Sequence, residues 1–173
     1  MTHRDFTSSL TIFTGHEDPT KEDSALDYAR LAALPGTKVM LMGVDRLGPI
    51  TEVLQRHGMD PETPVALVRW GTTGRQRSIS GRLADIAQKV VESGFEAPAV
   101  AVFGQVTTLR DKLGWFEKRP LRGQRIVVTR TRQQAGVLSE RLRALGADVY
   151  ELPTIRIEEP TDRQARSATA HEV

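Results

Sequence analysis

The chain has 173 residues, of which 39% are hydrophobic, and that is enough for one ordinary domain or one and a half small ones. It has no cysteine, which excludes disulfides and thiolate metal sites, and no apolar run approaches the roughly 20 residues that a membrane span needs. Lysine and arginine (24) nearly balance aspartate and glutamate (22), and the N-terminus lacks the apolar core of a signal peptide. We therefore expect a cytoplasmic globular protein with no membrane partner.

Strands and helices alternate through the first part of the chain. Alternating β-branched residues predict a strand over residues 9–14, and helical spacing predicts a short helix over 24–34. An apolar strand over 37–42 follows directly. The next helix has Asp45 as its predicted cap and ends near Gly58.

The same rhythm continues after that helix. An apolar strand is predicted over 64–69 and a further strand over 76–80, with Gly81 as a break. An amphipathic helix from Leu83 to Val91 and a buried strand from Pro98 to Phe103 come next. This order predicts an α/β fold whose sheet is covered on both faces.

A second unit is predicted after a boundary. Residues 1–116 form the first domain, and residues 117–123 combine charge with proline and glycine, which is the composition of a linker. The strand, helix and strand predicted within 124–160 form a β-α-β unit that is incomplete, because exposed sheet edges and one helix face lack partners. Small and polar side chains predict a disordered tail over 161–173.

The segment most typical of a functional site is the loop after the strand at 64–69. That strand runs into Gly71-Thr72-Thr73-Gly74 and then Arg75 and Arg77, which strand alternation would place on one face. The strand at 37–42 ends at Met42, and as a neighbouring strand it would deliver that residue to the same sheet edge. From the residues alone, core is the commoner explanation for Met42, and a solvent-facing strand is the commoner one for either arginine. Gly71 is equally explained as a turn glycine.

Basic residues are concentrated between positions 110 and 132. Such a cluster attracts polyanions in some proteins, but a solvated basic linker is the commoner explanation. Aromatic residues make up only 5% of the chain, which weighs against a surface on which the bases of single-stranded nucleic acid could stack. We therefore expect no nucleic-acid partner. The four histidines show no metal-ligand spacing, so no metal site is predicted.

Four motifs in order resemble the C-terminal lobe of the tetrapyrrole methylases, of the uroporphyrinogen-III C-methyltransferase type. They are Thr2-His3-Arg4-Asp5 followed by Thr11-Ile12-Phe13-Thr14-Gly15-His16, the strand ending at Met42-Gly43, the strand and loop of residues 64–77, and Pro98–Val106 followed by Leu109-Arg110. The predicted β-α-β unit, with Thr129-Arg130 after its first strand, resembles the opening of uroporphyrinogen-III synthase. The order of the two pieces resembles known fusions of that methyltransferase with that synthase.

The methylase resemblance implies a mixed sheet with flanking helices. It also implies S-adenosylmethionine as cofactor and uroporphyrinogen III as substrate. It implies cofactor contacts from Met42, Gly71 and Thr72, because a thioether suits an adenine face and glycine lets backbone approach a ligand. Substrate carboxylates would be bound by Arg4, Arg75 and Arg77, since guanidinium groups pair well with carboxylates. The resemblance also implies a homodimer, and it assigns no catalytic residue to this sequence.

In that family an N-terminal lobe with a G-x-G-x-G-D loop precedes the Thr-His-Arg motif. We expect that lobe upstream of this sequence, and we expect the isolated chain to bind S-adenosylmethionine weakly or not at all, because a cleft with one wall excludes little water. The alternative is a non-catalytic α/β interaction or dimerisation module with a basic linker. The coding sequence before Met1 distinguishes the two hypotheses.

Overall fold

The computed structural model describes residues 1–18 and 24–156 as a five-stranded mixed sheet with helices, followed by a two-stranded sheet with one helix. In chain order the elements are β1 Leu10–Thr14, α1 Tyr28–Ala33, β2 Thr37–Leu41, α2 Leu47–Arg56, β3 Pro64–Arg69, β4 Arg77–Arg82, α3 Ile86–Glu92, β5 Ala99–Phe103, α4 Arg110–Leu113, β6 Arg125–Val128, α5 Arg132–Ala144 and β7 Asp148–Glu151. The α/β class and the mixed sheet with flanking helices are as predicted.

Strand directions in the large sheet bring three strand ends to one edge. The order is β1-β2-β5-β3-β4, with β1 parallel to β2 and with β5 antiparallel to both β2 and β3. The strands β1, β2 and β3 therefore run the same way, and we call the side where they end the C-terminal edge. The prediction that β2 and β3 share an edge is confirmed, but they are not neighbours, because β5 lies between them.

The hydrophobic core lies on the face of the sheet covered by α1, α2 and α3. Met40, Ala101 and Leu67 are aligned across β2, β5 and β3 and are buried there. The apolar residues of α2 recur at helical spacing and all face this core, namely Leu47, Ile50, Val53 and Leu54. Burial of one such side chain contributes roughly 1.5–3 kcal/mol, so this face stabilises the sheet.

The opposite face is only partly covered, and here the sequence prediction is wrong. The turn at Gln105–Leu109 follows β5 and packs against β3 on the way to α4. At the β1 end, however, Ile12 is 61% exposed, and Leu10 and Leu41 on neighbouring positions of the same face are exposed as well. The sequence of β1 could not reveal this, because Leu10, Ile12 and Phe13 place apolar side chains on both faces of the strand, which is the pattern of a strand buried on both.

Two local predictions are also corrected. The strand β4 continues through Gly81, which pairs with Val65, rather than breaking there. The glycine leaves room for the Asp85 side chain before α3, since an added Cβ would lie 2.5 Å from its carboxylate oxygen. Asp45 does not cap α2, since it lies in a 3-10 turn at Val44–Arg46 that precedes the helix.

The second unit consists of β6, α5 and β7, with the two strands parallel and the helix as the crossover between them. Its division from the first domain stays a prediction, and the tail predicted over 161–173 lies outside the described residues. In the part of the chain that the structure describes, no helix is long and apolar enough to cross a membrane.

Candidate functional site

Two glycines bring the loops after β1 and β2 into direct contact at the C-terminal edge. An added Cβ on Gly43 would lie 2.5 Å from the sulfur of Met40 and 2.9 Å from Cα of Gly15. An added Cβ on Gly15 would lie 2.6 Å from Cα of Gly43 and 2.7 Å from the sulfur of Met40. Any larger residue at either position would separate the loops, so the sequence requires glycine here to keep this part of the edge closed.

Met42 lies at the same edge with its side chain in the open. It is 69% exposed and its φ is 56°, a left-handed conformation that residues other than glycine seldom adopt. The core explanation for Met42 is therefore wrong, because the buried methionine of this strand is Met40. An exposed thioether on strained backbone is available to pack against a ligand.

The loop after β3, residues 70–76, is called the Gly-Thr loop. Its backbone is left-handed at Trp70, with φ 48°, and at Thr72, with φ 65°. The Thr72 amide donates to Oε1 of Gln76 at 2.7 Å, and the Gln76 amide donates to the carbonyl of Thr73 at 2.9 Å. Left-handed conformations cost on the order of 1–3 kcal/mol each and persist only where neighbouring contacts hold them.

Gly71 differs from the glycines that packing requires. Its φ lies outside the left-handed region, and an added Cβ would meet only Val68 at 3.6 Å and the Gln76 side chain at 3.9 Å, which are ordinary contacts. The chain itself therefore gives no reason for glycine at this position. An open position beside strained backbone suits the close approach of a ligand.

Arg75 and Arg77, at the end of the loop and the start of β4, do not share a face of that strand. Arg75 precedes β4 and lies 4.8 Å from the Trp70 ring centre, with its Nε 3.4 Å from a carboxylate oxygen of Asp148. Arg77 begins β4 and donates to the carbonyl of Ser93 at 3.4 Å. The strand-alternation prediction is wrong because β4 begins only at Arg77, which leaves Arg75 in the loop.

Arg4 is separated from the other candidate residues. It is exposed within a turn closed by the His3 and Thr7 backbones, and this turn leads into the start of β1. The segment is fixed there by Ser9, whose hydroxyl donates to the carbonyl of Pro35 at 2.8 Å, just before β2. The structure thus places Arg4 at the edge opposite Met42 and Gly71.

Contacts that the sequence did not predict hold the end of the Gly-Thr loop in place. Nε2 of Gln76 donates to Glu117 at 3.3 Å, and the Ser78 hydroxyl donates to the same carboxylate. The other Glu117 oxygen accepts from Arg110 at 2.7 Å. No signal in the sequence links Glu117 to a loop 41 residues away.

The electrostatics of Glu117 follow from these neighbours. Burial by itself raises the pKa of Glu117, but hydrogen bonds from Ser78 and Gln76 and the guanidinium groups of Arg110 and Arg122 outweigh burial. The pKa is therefore lowered from its usual 4.5. The carboxylate stays charged, which keeps its hydrogen bonds to both strand and loop.

Much of the basic cluster is used inside the molecule. Arg110 pairs with Glu117, Arg119 stacks 4.4 Å from the Trp115 ring centre, and Arg122 donates to the carbonyl of Gln76 at 3.4 Å. Within residues 1–18 and 24–156, no three acidic or histidine side chains lie together as a metal site would require. These arginines are thus engaged in contacts within the molecule.

Sequence comparison relates the chain to the tetrapyrrole methylases. Residues 1–87 match the model of the Tetrapyrrole (Corrin/Porphyrin) Methylases. A Uroporphyrinogen-III C-methyltransferase of Bacillus subtilis is 39% identical over 158 residues, which is 91% of this chain and 32% of that protein. An S-adenosyl-L-methionine-dependent uroporphyrinogen III methyltransferase of Methanosarcina barkeri is 51% identical over 114 residues, 66% of this chain and 45% of that protein.

The chain thus spans between about a third and a half of the length of these relatives. The Bacillus match is too long to fit within the first 123 residues, so it extends into the second unit. The shorter Methanosarcina match is 114 residues, about the length of the first domain alone.

Solved structures agree on the fold. Uroporphyrin-III C-methyl transferase of Thermus thermophilus, complexed with S-adenyl homocysteine, superimposes with a TM-score of 0.53 at 30% identity, covering 62% of this chain and 47% of that one. Cobalt precorrin-4 methyltransferase, at 18% identity and a TM-score of 0.52, supports the fold alone. Since the family model matches half of the sequence, the chain belongs to the tetrapyrrole methylase family.

Proposed function

We propose that the chain is the C-terminal half of an S-adenosylmethionine-dependent uroporphyrinogen-III C-methyltransferase that forms precorrin-2. The observation that carries this proposal is the C-terminal edge, where Met42 follows β2 and the Gly-Thr loop follows β3. These two strands run the same way on either side of β5, about 10 Å from each other. Left-handed backbone at Met42 and Thr72 and open space at Gly71 support a ligand site there. The relatives are named as uroporphyrinogen-III methyltransferases, and the proposed reaction is taken from them.

The proposed cofactor residues fit the cofactor chemically. S-adenosylmethionine supplies a methyl group on a sulfonium sulfur, which passes to a carbon of the tetrapyrrole. In our proposal the Met42 thioether packs on the adenine, and the backbone of Gly71 and Thr72 contacts the cofactor at close range. Arg75 and Arg77 would bind carboxylates of uroporphyrinogen III from different sides of the loop, and Arg4 would do so only if another lobe brings substrate to the opposite edge.

We further propose that the functional enzyme includes the family's N-terminal lobe, which supplies the second wall of the cleft, and that it is a homodimer. The exposed apolar residues Leu10, Ile12 and Leu41 leave surface available for such contacts. We also propose that the second unit is the beginning of a uroporphyrinogen-III synthase, as its resemblance implies. The long match to the Bacillus protein supports a shared arrangement of both units, although the name of that protein mentions no synthase.

Calorimetric titration with S-adenosylhomocysteine tests the proposal. We expect weak or no binding to the chain alone, and measurable binding once a tetrapyrrole-methylase N-terminal lobe is added. Micromolar affinity of the chain alone would contradict the one-wall argument. Absence of binding with the lobe present, although the two pieces associate, would contradict the proposed function.

The alternative is a non-catalytic dimerisation module, which the exposed apolar residues on β1 and β2 favour. Under this alternative, sedimentation would show a dimer of the chain while S-adenosylhomocysteine fails to bind in the presence of the lobe. A basic linker that binds an anionic partner is less well supported, because Arg110, Arg119 and Arg122 already make internal contacts.

A further inference from the structure

The Gly-Thr loop contacts the second unit backbone against backbone. An added Cβ on Gly74 would overlap the amide nitrogen of Asp148 and lie 2.5 Å from the carbonyl carbon of Ala147, at the start of β7. The φ of Gly74 lies outside the left-handed region, so its small size and not its backbone freedom is what this contact uses. The loop and β7 can approach so closely only because position 74 lacks a side chain.

Hydrogen bonds and an ion pair extend this contact on both sides of Gly74. The Gly123 amide donates to the carbonyl of Gly74 at 3.1 Å. Nε of Arg75 lies 3.4 Å from a carboxylate oxygen of Asp148, and the Asp148 side chain is only 16% exposed. The linker thus donates a hydrogen bond to the loop at Gly74, and Asp148 of β7 forms an ion pair with the next residue, Arg75.

A second set of contacts holds the other end of the loop. Gln76 accepts from the amide of Thr72, the left-handed residue, and donates to Glu117 just after the first domain. Its backbone carbonyl also accepts from Arg122 of the linker at 3.4 Å. The strained part of the loop is therefore connected through one glutamine side chain to groups outside the methylase lobe.

We propose that the linker and the second unit position the Gly-Thr loop, with Gln76, Glu117 and Asp148 as positioning residues, so that the β6-α5-β7 unit takes part in shaping the methylase half-site. The left-handed backbone at Thr72 needs neighbouring contacts to persist, and Gln76 supplies one to its amide. Glu117 in turn contacts the Gln76 side chain, and Asp148 faces Arg75. Naming the loop a cofactor site depends on the proposed function, whereas its positioning by the second unit does not.

Amide hydrogen exchange on the ligand-free chain tests the proposal. Asp148→Asn removes the charge that faces Arg75 and Arg125, and Gly74→Ala forces the loop away from β7. We expect each variant to speed exchange of the Thr72, Thr73 and Gln76 amides about tenfold or more, with little change in β2 and β5. The matched control is Glu151→Gln, also on β7, which loses an ion pair with Arg143 on α5, away from the loop.

Two results would overturn the proposal. One is wild-type exchange at the three loop amides in both variants. The other is faster exchange spread evenly over the whole first domain, since this would be general destabilisation and not loss of positioning. If Gly74→Ala fails to fold, Asp148→Asn decides alone. A separate titration with S-adenosylhomocysteine bears on the proposed function, so failure of either idea can be told from failure of the other.

Discussion

Replacement of Gly43 by alanine tests the close contact that forms the C-terminal edge. Its φ and ψ, −121° and 14°, are accessible to alanine, so the cost comes from packing and not from the backbone. The new Cβ would lie 2.5 Å from the sulfur of Met40, which is 1% exposed, and 2.9 Å from the Gly15 backbone. Overpacking of this kind typically costs about 1–3 kcal/mol, and we expect a loss of unfolding free energy in that range.

A double-mutant cycle with Met40 identifies the clash as the cause. Met40→Ala alone should cost about 2–5 kcal/mol through the cavity it leaves. The double variant should lose less than the sum by about 0.5–3 kcal/mol, because removing the sulfur gives the new methyl group room. Urea denaturation followed by circular dichroism measures all three. Gly48→Ala is the control, since nothing lies within 4 Å of its added Cβ, and strictly additive costs would refute the reasoning.

Three further predictions follow from single residues. Gly71→Ala should change stability by no more than about 0.5 kcal/mol, yet weaken S-adenosylhomocysteine binding about tenfold or more in the presence of the N-terminal lobe; unchanged binding would count against a ligand at this position. Because the pKa of Glu117 is lowered from 4.5, its stabilising contribution is full above that value and is lost as the pH falls through the folded-state pKa, so Glu117→Gln should flatten the acid limb of a stability profile. Leu67→Ala, in the fully buried centre of β3, should cost about 2–5 kcal/mol in urea denaturation, and a cost below about 1 kcal/mol would contradict the assigned core.

The sequence predicted what depends on local pattern. Alternation with β-branched residues located β1, an apolar run located β2, and the spacing of Leu47, Ile50 and Leu54 located the buried side of α2, because helical spacing directly reflects which side chains face the core. The glycine that follows a strand correctly marked the loop after β3. The four ordered motifs were enough to identify the family, because each combines a strand with the loop that follows it.

Contacts distant in the chain could not be predicted. The insertion of β5 between β2 and β3 depends on which strands pair, and no local signal reports this. Strand alternation misplaced Arg75 because the turn closed between the Gln76 amide and the Thr73 carbonyl leaves Arg75 outside β4. The composition of residues 117–123 likewise indicated only a linker, although Glu117 is one of the groups that hold the loop.

The central claim is that the C-terminal edge forms one wall of a cofactor cleft. Its most direct test is nuclear magnetic resonance of the isotopically labelled chain, in complex with an unlabelled N-terminal methylase lobe, before and after addition of S-adenosylhomocysteine. We predict that the largest shift changes occur at the Met42 methyl group and the Gly71 and Thr72 amides. Changes confined to the opposite edge, near Arg4, or to the second unit would contradict the account.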